Sequence, residues 1–358
     1  MNKLILTALA LLFPLFYFSC GGGGGSESGS GTVPLYLTDD LGDFKQVSVT
    51  VNLVQLAHTG SGAACDLLTD PESLDLSNLE GVLQLLDTTE CPAQSYNRVN
   101  IRFSKAVGLM DSIGTSAECL FESYKSDGNP SQPNVLNCAD GTCSVSINGG
   151  INVIANTVNP FGLDFDLKNF EVDNFGSPNC GVSLKVEPQN NNDLNGKMAA
   201  GYKKGVTGYV SGLDIDGDSF TMTTRKGAFF TVDYSQALYR SAPQPDLDGL
   251  LQFASEQNLP VRIITDNIDV SGQSVIVAET IYVKLEGRVS NLDLLNLLFT
   301  LENTTHDITV NVNYSDAAGY DKVEGNLADD IWVEVKLFGF DLDRYLAHEV
   351  EVKNEILP

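Results

Sequence analysis

Residues 33–40 read VPLYLTDD and residues 47–56 read VSVTVNLVQL. Val33, Leu35 and Leu37 alternate with Pro34, Tyr36 and Thr38. Val47, Val49, Val51 and Leu53 alternate with Ser48, Thr50 and Asn52. A period of two, carried by β-branched and aliphatic side chains, puts one apolar row on one face of an extended chain. Both stretches read as half-buried strands, and DDLGD between them is turn chemistry. The alternation returns at 98–103 (RVNIRF), 144–147, 151–154 and 182–186, so the fold class is all-β. Asn148-Gly149-Gly150 is expected to turn a hairpin between two of these strands. A short helix is expected over 78–86. The segment 104–142, rich in Gly, Ser, Asn and Cys, reads as an excursion held by disulfides outside the core strands.

Ahead of the first strand stands MNKLILTALALLFPLFYFSC, residues 1–20, followed by GGGGGSESGSG. Lys3 gives a positive start, and 4–18 is apolar apart from Thr7 and Pro14. That is the core of a signal peptide, too short to span a bilayer as a stable helix. Small Ser19 suits a cleavage site. The stretch resembles a bacterial lipoprotein signal, with Tyr17 where leucine is usual and bulky Phe18 after it. The resemblance implies that residues 1–19 are removed and that Cys20 becomes the lipidated first residue. An ordinary secretory signal ending near a cysteine is the alternative. Residues 20–31 read as a flexible Gly/Ser tether, and several acyl chains on one cysteine hold a protein firmly to a membrane. Gly21 and Gly22 stand where aspartate would retain an enterobacterial lipoprotein at the inner membrane. The expected place is the cell envelope, at the outer membrane.

The 358 residues carry 47 Asp and Glu against 21 Lys and Arg, a formal charge of −26. Such a surface repels nucleic acid. Of seven cysteines, Cys20 is set apart, which leaves Cys65, Cys91, Cys119, Cys138, Cys143 and Cys180. Six thiols in an exported chain read as disulfides. All lie between 65 and 180, so one module holds them. Cys65 is expected to pair with Cys91, and Cys119 with Cys138 or Cys143. A zinc site at Cys138 and Cys143 lacks the usual paired ligand spacing.

The stretch from Val33 to Leu56 resembles the opening of domain of unknown function 4382, a family common in bacterial lipoproteins. Leu37-Thr38-Asp39 match its Leu-Thr-Asp-Ala-Pro segment, with Asp40-Leu41 replacing Ala-Pro. LDLSNL (74–79) resembles its Asp-Leu-Leu segment. PAQSYNRVNIRF (92–103) resembles its Pro-Ala-Gly-x-Tyr-x-x-Ile-Arg-Leu stretch. LDFDLKNFEV (163–172) and KVEP (185–188) resemble its closing segments. The resemblance implies a β-sandwich of immunoglobulin-like or transthyretin-like kind over 32–188. It brings no activity and no site residues.

NNNDLNG after Pro188 is polar and non-periodic, so 189–204 reads as a linker. Beyond it the chain repeats. Gly208-x-Val210-Ser211-x-Leu213-Asp214 matches Gly287-x-Val289-Ser290-x-Leu292-Asp293. Phe220-Thr221 matches Phe299-Thr300, and Tyr234-Ser235 matches Tyr314-Ser315. Self-similarity at this period means two similar structural units, here 205–284 and 285–358. Their short alternating strands suggest two tandem small β-barrels. Gly-x-Val-Ser-x-Leu and the Phe-Thr pair resemble domain of unknown function 5666. The first copy also contains a helix signal: Asp246 can cap, Leu247, Leu250, Leu251 and Ala254 share a face, and Pro260 ends the run.

Motifs of defined chemistry are sparse. Asp214, Asp216 and Asp218 are spaced as in a calcium loop, but the second copy has Leu295 and Leu297 in place of the last two, and a hairpin turn explains both copies. His58, His306 and His348 are scattered, and no nucleophile elbow, P-loop or dinucleotide fingerprint occurs. Tyr124, Phe161, Tyr239, Tyr320 and Trp332 could form an aromatic platform for sugars. The sequence thus reads as a lipid-anchored, non-enzymatic scaffold or interaction module, without cofactor, whose partner is an envelope protein or glycan. A glycan- or calcium-binding module is the alternative, and an enzyme site assembled between modules the weaker one.

Overall fold

The computed structural model describes residues 29–353 apart from 40–43, 59–61, 112–114, 125–135, 226, 267, 269–274, 320–321, 325 and 342. The leader, Cys20 and the glycines at 21–25 lie outside the described residues. No helix among the described residues is long and apolar enough to cross a membrane.

The chain is all-β. Its N-terminal part comprises β1 (Ser30–Asp39), β2 (Gln46–Ala57), β3 (Cys65–Leu68), β4 (Glu72–Asp75), β5 (Val82–Pro92), β6 (Arg98–Ser104), β7 (Ala106–Met110), β8 (Ser116–Tyr124), β9 (Asn137–Ala139), β10 (Thr142–Asn148), β11 (Phe161–Phe165), β12 (Glu171–Asp173), β13 (Gly181–Leu184) and β14 (Val186–Gln189). One layer runs β14-β11-β1-β5. The other runs β12-β13-β8-β7-β2-β6-β10-β9, with β3 and β4 on β2. The alternation explains the arrangement: Val33, Leu35 and Leu37 of one layer and Val47, Val49 and Val51 of the other lie in one buried cluster.

Several expectations are corrected. The tether stops short of residue 31, because Ser30 and Gly31 already pair with Pro92 and Cys91. Gly31 is buried so tightly that a Cβ there would lie 2.3 Å from the Ile154 carbonyl oxygen. The helix over 78–86 is only the 3-10 turn Leu76–Leu79; Gly81, at φ +67°, leaves the helical region and β5 follows. The excursion over 104–142 contains β7 and β8, both inside the sheet between β2 and β13. Residues 151–154 form no strand: Ile151 and Val153 instead bond the backbone of Tyr96 and Gln94. The strand expected at 182–186 breaks in two, so that β13 and β14 sit in different layers.

The linker is also corrected: it is the helix α1 (Asn191–Ala199). The Asn190 side chain accepts from the Asn192 and Asp193 N–H groups, and Asp193 accepts the Asn190 N–H at 2.9 Å, a reciprocal cap. Lys197 pairs with Asp164 at 2.9 Å and pins the helix to β11.

The second half comprises β15 (Lys203–Asp214), β16 (Ser219–Thr223), β17 (Phe229–Asp233), β18 (Leu238–Tyr239), β19 (Ala242–Pro243), α2 (Leu247–Glu256), β20 (Pro260–Thr265), β21 (Val275–Val277), β22 (Thr280–Asp293), β23 (Leu298–Asn303), β24 (Ile308–Asn313), α3 (Ser315–Gly319), β25 (Val323–Glu324), β26 (Trp332–Asp341) and β27 (Arg344–Lys353). β15 pairs β16, β16 pairs β17, and β17 pairs β21 in parallel. The chain passes from β21 into β22, whose start pairs β20, and β20 returns to β15. That is a closed ring of five staves. The second copy repeats it as β22-β23-β24-β27-β26-β22, again with one parallel contact, β24 to β27. β22 serves both rings. In each, a helix stands between the third and fourth staves. α2 forms as its sequence signals, with Leu247, Leu250, Leu251 and Ala254 buried.

The units are welded. β5 pairs β15 in parallel, Val82 against Lys203 through Leu85 against Val206. Tyr36, Leu83 and Leu85 leave the N-terminal core and join the single cluster that fills both rings.

Candidate functional site

Strands whose inward residues fill a ring point the alternate residues outward. On the outward face of β22, β26 and β27, Glu286, Glu334 and Glu351 stand abreast, and Lys284, Lys336 and Glu349 form the next row. Like charges directly opposite repel. The conflict is resolved by ion pairs between and along the rows: Lys284 to Glu334 at 2.8 Å, Lys353 to Glu351 at 2.7 Å, Lys353 to Glu334 at 3.5 Å and Lys336 to Glu349 at 2.5 Å. Glu334, Lys336, Glu349 and Glu351 are all buried. Part of the cover is the 3-10 turn of the N-terminal unit, where Asn78 Oδ1 accepts from Lys336 Nζ. Burial works to raise Glu334, but Lys284, Lys353 and Lys336 bring it down to about 2. Burial and the nearby Asp75 push Glu351 up to about 8, against Lys353.

Beside this cluster, between the turn and the outward faces of β15, β20 and β22, opens a cleft of 380 Å³. Asn78 and Gln84 belong to its N-terminal wall; Thr207, Tyr209, Arg262 and Lys284 belong to the ring wall. Arg262 sits on β20 opposite Thr207 and Tyr282. One Nη donates to the Asn78 carbonyl at 3.2 Å, while Nε is buried without a partner. Burial lowers the guanidinium pKa, opposed by the longer-range attraction of Glu349, Tyr282, Glu334 and Asp75.

A second polar group lies where the rings meet. Tyr239 stacks on Phe338 with ring centroids 3.8 Å apart. Its hydroxyl donates to Asp316, accepts from Arg240 Nε at 2.8 Å and lies 2.8 Å from His348 Nδ1. His348 stacks in turn on Tyr282, and burial pulls it down to about 4. The buried Gln244 amide donates to the carbonyls of Ile281 and Phe338 and accepts the Ile281 N–H. These bonds seal the seam between β22 and β26.

The residues singled out from sequence fall elsewhere. Cys65 pairs with Cys91. Cys119 pairs with Cys180 and Cys138 with Cys143, which corrects the expected partner of Cys119. β13 lies beside β8, so Cys180, one residue before β13, reaches Cys119. Asp214 accepts the Gly217 N–H at 3.2 Å, and Asp293 accepts from the Leu295 and Asn296 N–H groups at 3.0 Å. Each thus closes its own hairpin turn. Asp216 and Asp218 are exposed, and no three His, Cys, Asp or Glu residues are grouped to hold a metal among the described residues. Phe161 is core and Tyr239 is buried at the seam, far from any common platform with half-buried Trp332. Tyr320 lies outside the described residues. His58 and His306 are exposed on separate units.

The comparisons with known proteins reach the N-terminal unit. Residues 30–185 match the family model described as Domain of unknown function (DUF4382). The match opens on the first residue of β1, and the three disulfides lie inside it. No curated protein and no solved structure matches the chain. Arg262 and the charged rows lie beyond the matched DUF4382 segment. Sequence reading passed over them because WVEVK and EVEVK alternate as half-exposed strands do. The signal was the pairing of acidic rows at matched positions, legible only once the register is known.

Proposed function

We propose that the chain is a lipid-tethered, non-enzymatic interaction module of the cell envelope, held at the outer membrane by Cys20. The observation that carries this reading is the weld. A shared strand pair and a shared core make the N-terminal unit and the two rings one body, and a short flexible Gly/Ser tether would keep that body near the membrane. The matched strand order of the rings supports assigning them as tandem copies of domain of unknown function 5666. The partner is an envelope protein or glycan.

The tether is tested by fractionation: Cys20→Ser should move the protein from membranes to the soluble fraction, and a variant that still sediments with membrane removes the anchor. The interaction is tested by affinity capture from native envelopes, where return of the bait alone would count against a stable protein partner.

A further inference from the structure

We propose that the cleft beside β4 and β20 binds a small hydroxylated carboxylate, a uronate being the chemical type, with its carboxylate on the guanidinium of Arg262. An arginine stays charged in a protein, and a buried charge without a counter-ion is costly. Arg262 is a half-buried charge whose Nε is fully enclosed. It has one hydrogen bond, to a backbone carbonyl, an unpartnered buried Nε and no carboxylate in ion-pair contact, in a chain with 47 acids for 21 bases. The other cations on the cleft are matched: Arg225 by Glu72 at 3.2 Å, Lys284 by Glu334 and Lys336 by Glu349. Glu349, Glu334 and Asp75 attract Arg262 only at longer range, so the cleft leaves room beside its guanidinium for a small anion in direct contact.

The planar fork of a guanidinium suits a carboxylate. The walls offer a ring and polar groups for the remainder of such a molecule, in Tyr209, Gln84 and Thr207. The volume stands near the lower end of small-ligand sites, which fits one or two sugar residues. Glu72, Asp75 and Glu286 also line the cleft, and with the net charge of −26 they disfavour a polyanion. A ligand here would touch both the N-terminal unit and the first ring, so occupancy should raise the melting temperature.

The test is calorimetric titration of the full chain with sodium glucuronate, with glucose and acetate in parallel. Glucuronate should bind and glucose should not. Acetate weaker than glucuronate supports the hydroxylated ligand, whereas acetate equal to it would overturn that part of the proposal and leave only the carboxylate anchor on Arg262. Arg262→Gln should weaken glucuronate at least tenfold. Because that side chain is half-buried and bonds the Asn78 carbonyl, exposed Glu286 gives the second variant: Glu286→Gln removes a repelling charge and should tighten glucuronate about threefold. No glucuronate binding, equal binding of glucose, or a Glu286→Gln affinity that is unchanged or weaker would overturn the proposal.

Discussion

The two cores of this chain are held by different means. The N-terminal unit carries three disulfides, one of them, Cys65–Cys91, joining its two layers, while the rings carry none and draw on closure, a helix plug and a buried ion cluster. Disulfides act largely on the unfolded chain and act more as the loop lengthens. Cys119–Cys180 spans 61 residues and Cys138–Cys143 only 5. Replacing both Cys119 and Cys180 by serine should cost about 4 kcal/mol, and replacing both Cys138 and Cys143 about 2 kcal/mol. Urea unfolding followed by circular dichroism and by fluorescence of Trp332, the one tryptophan, separates the units. The Trp332 transition should move less than the circular dichroism transition. Equal shifts would show that the β5–β15 weld makes the two cores unfold as one.

The reciprocal break is in the rings. Leu250 and Leu251 of α2 are fully buried against the ring core. Leu250→Ala removes apolar contact and leaves a cavity, at a cost of about 3 kcal/mol. The loss should appear first in Trp332 fluorescence and leave the disulfide-bearing unit's resistance to reductant unchanged. A variant that unfolds at the wild-type urea midpoint would mean that α2 is a surface cover and no part of the core.

This contrast also shows what the sequence could carry. Alternation in VPLYLTDD and VSVTVNLVQL is a local property, and those strands, the repeat and α2 were legible from it. The partners of strands are not local. Tyr36 reads as the solvent side of β1, yet it is buried because β15 brings a second core to that side. NNNDLNG reads as a linker because it is polar apart from Leu194 and Gly196, although Asn190 and Asp193 already spell a reciprocal cap. The cleft was hidden for the same reason as the weld: Arg262, Asn78 and Lys336 are 184 and 258 residues apart in their contacts, and only the folded register brings them together.

The charged rows give the ring side a pH dependence. Glu351 has a folded pKa of about 8, above the ordinary 4.5. The folded chain holds that proton more tightly than the unfolded chain does. The stabilisation is complete below about pH 4.5 and is lost as pH rises through 8. Glu351→Gln is neutral throughout and should flatten the fall of melting temperature between pH 5 and 9 by a few degrees. At the acid end the sign reverses. His348, at about 4 against 6.5, and Glu334, at about 2 against 4.5, contribute stability that is complete above their ordinary values and lost as pH falls through the folded ones. A Glu351→Gln variant with the wild-type alkaline slope would move the responsible group elsewhere.

The smallest effect compares the two copies directly. Asp214 makes one turn bond, to Gly217, whereas Asp293 accepts from two backbone N–H groups and from the Asn296 side chain. Those bonds pull Asp293 below its ordinary value. Exposed turn bonds of this kind contribute little each, so three count for more than one. Asp293→Ala should therefore lower the urea midpoint more than Asp214→Ala does. If Asp214 instead belonged to a cation loop, calcium would raise the wild-type melting temperature and Asp214→Ala would abolish the rise. The turn reading expects neither, because the same aspartate closes the second copy's hairpin, where leucines occupy the remaining two positions.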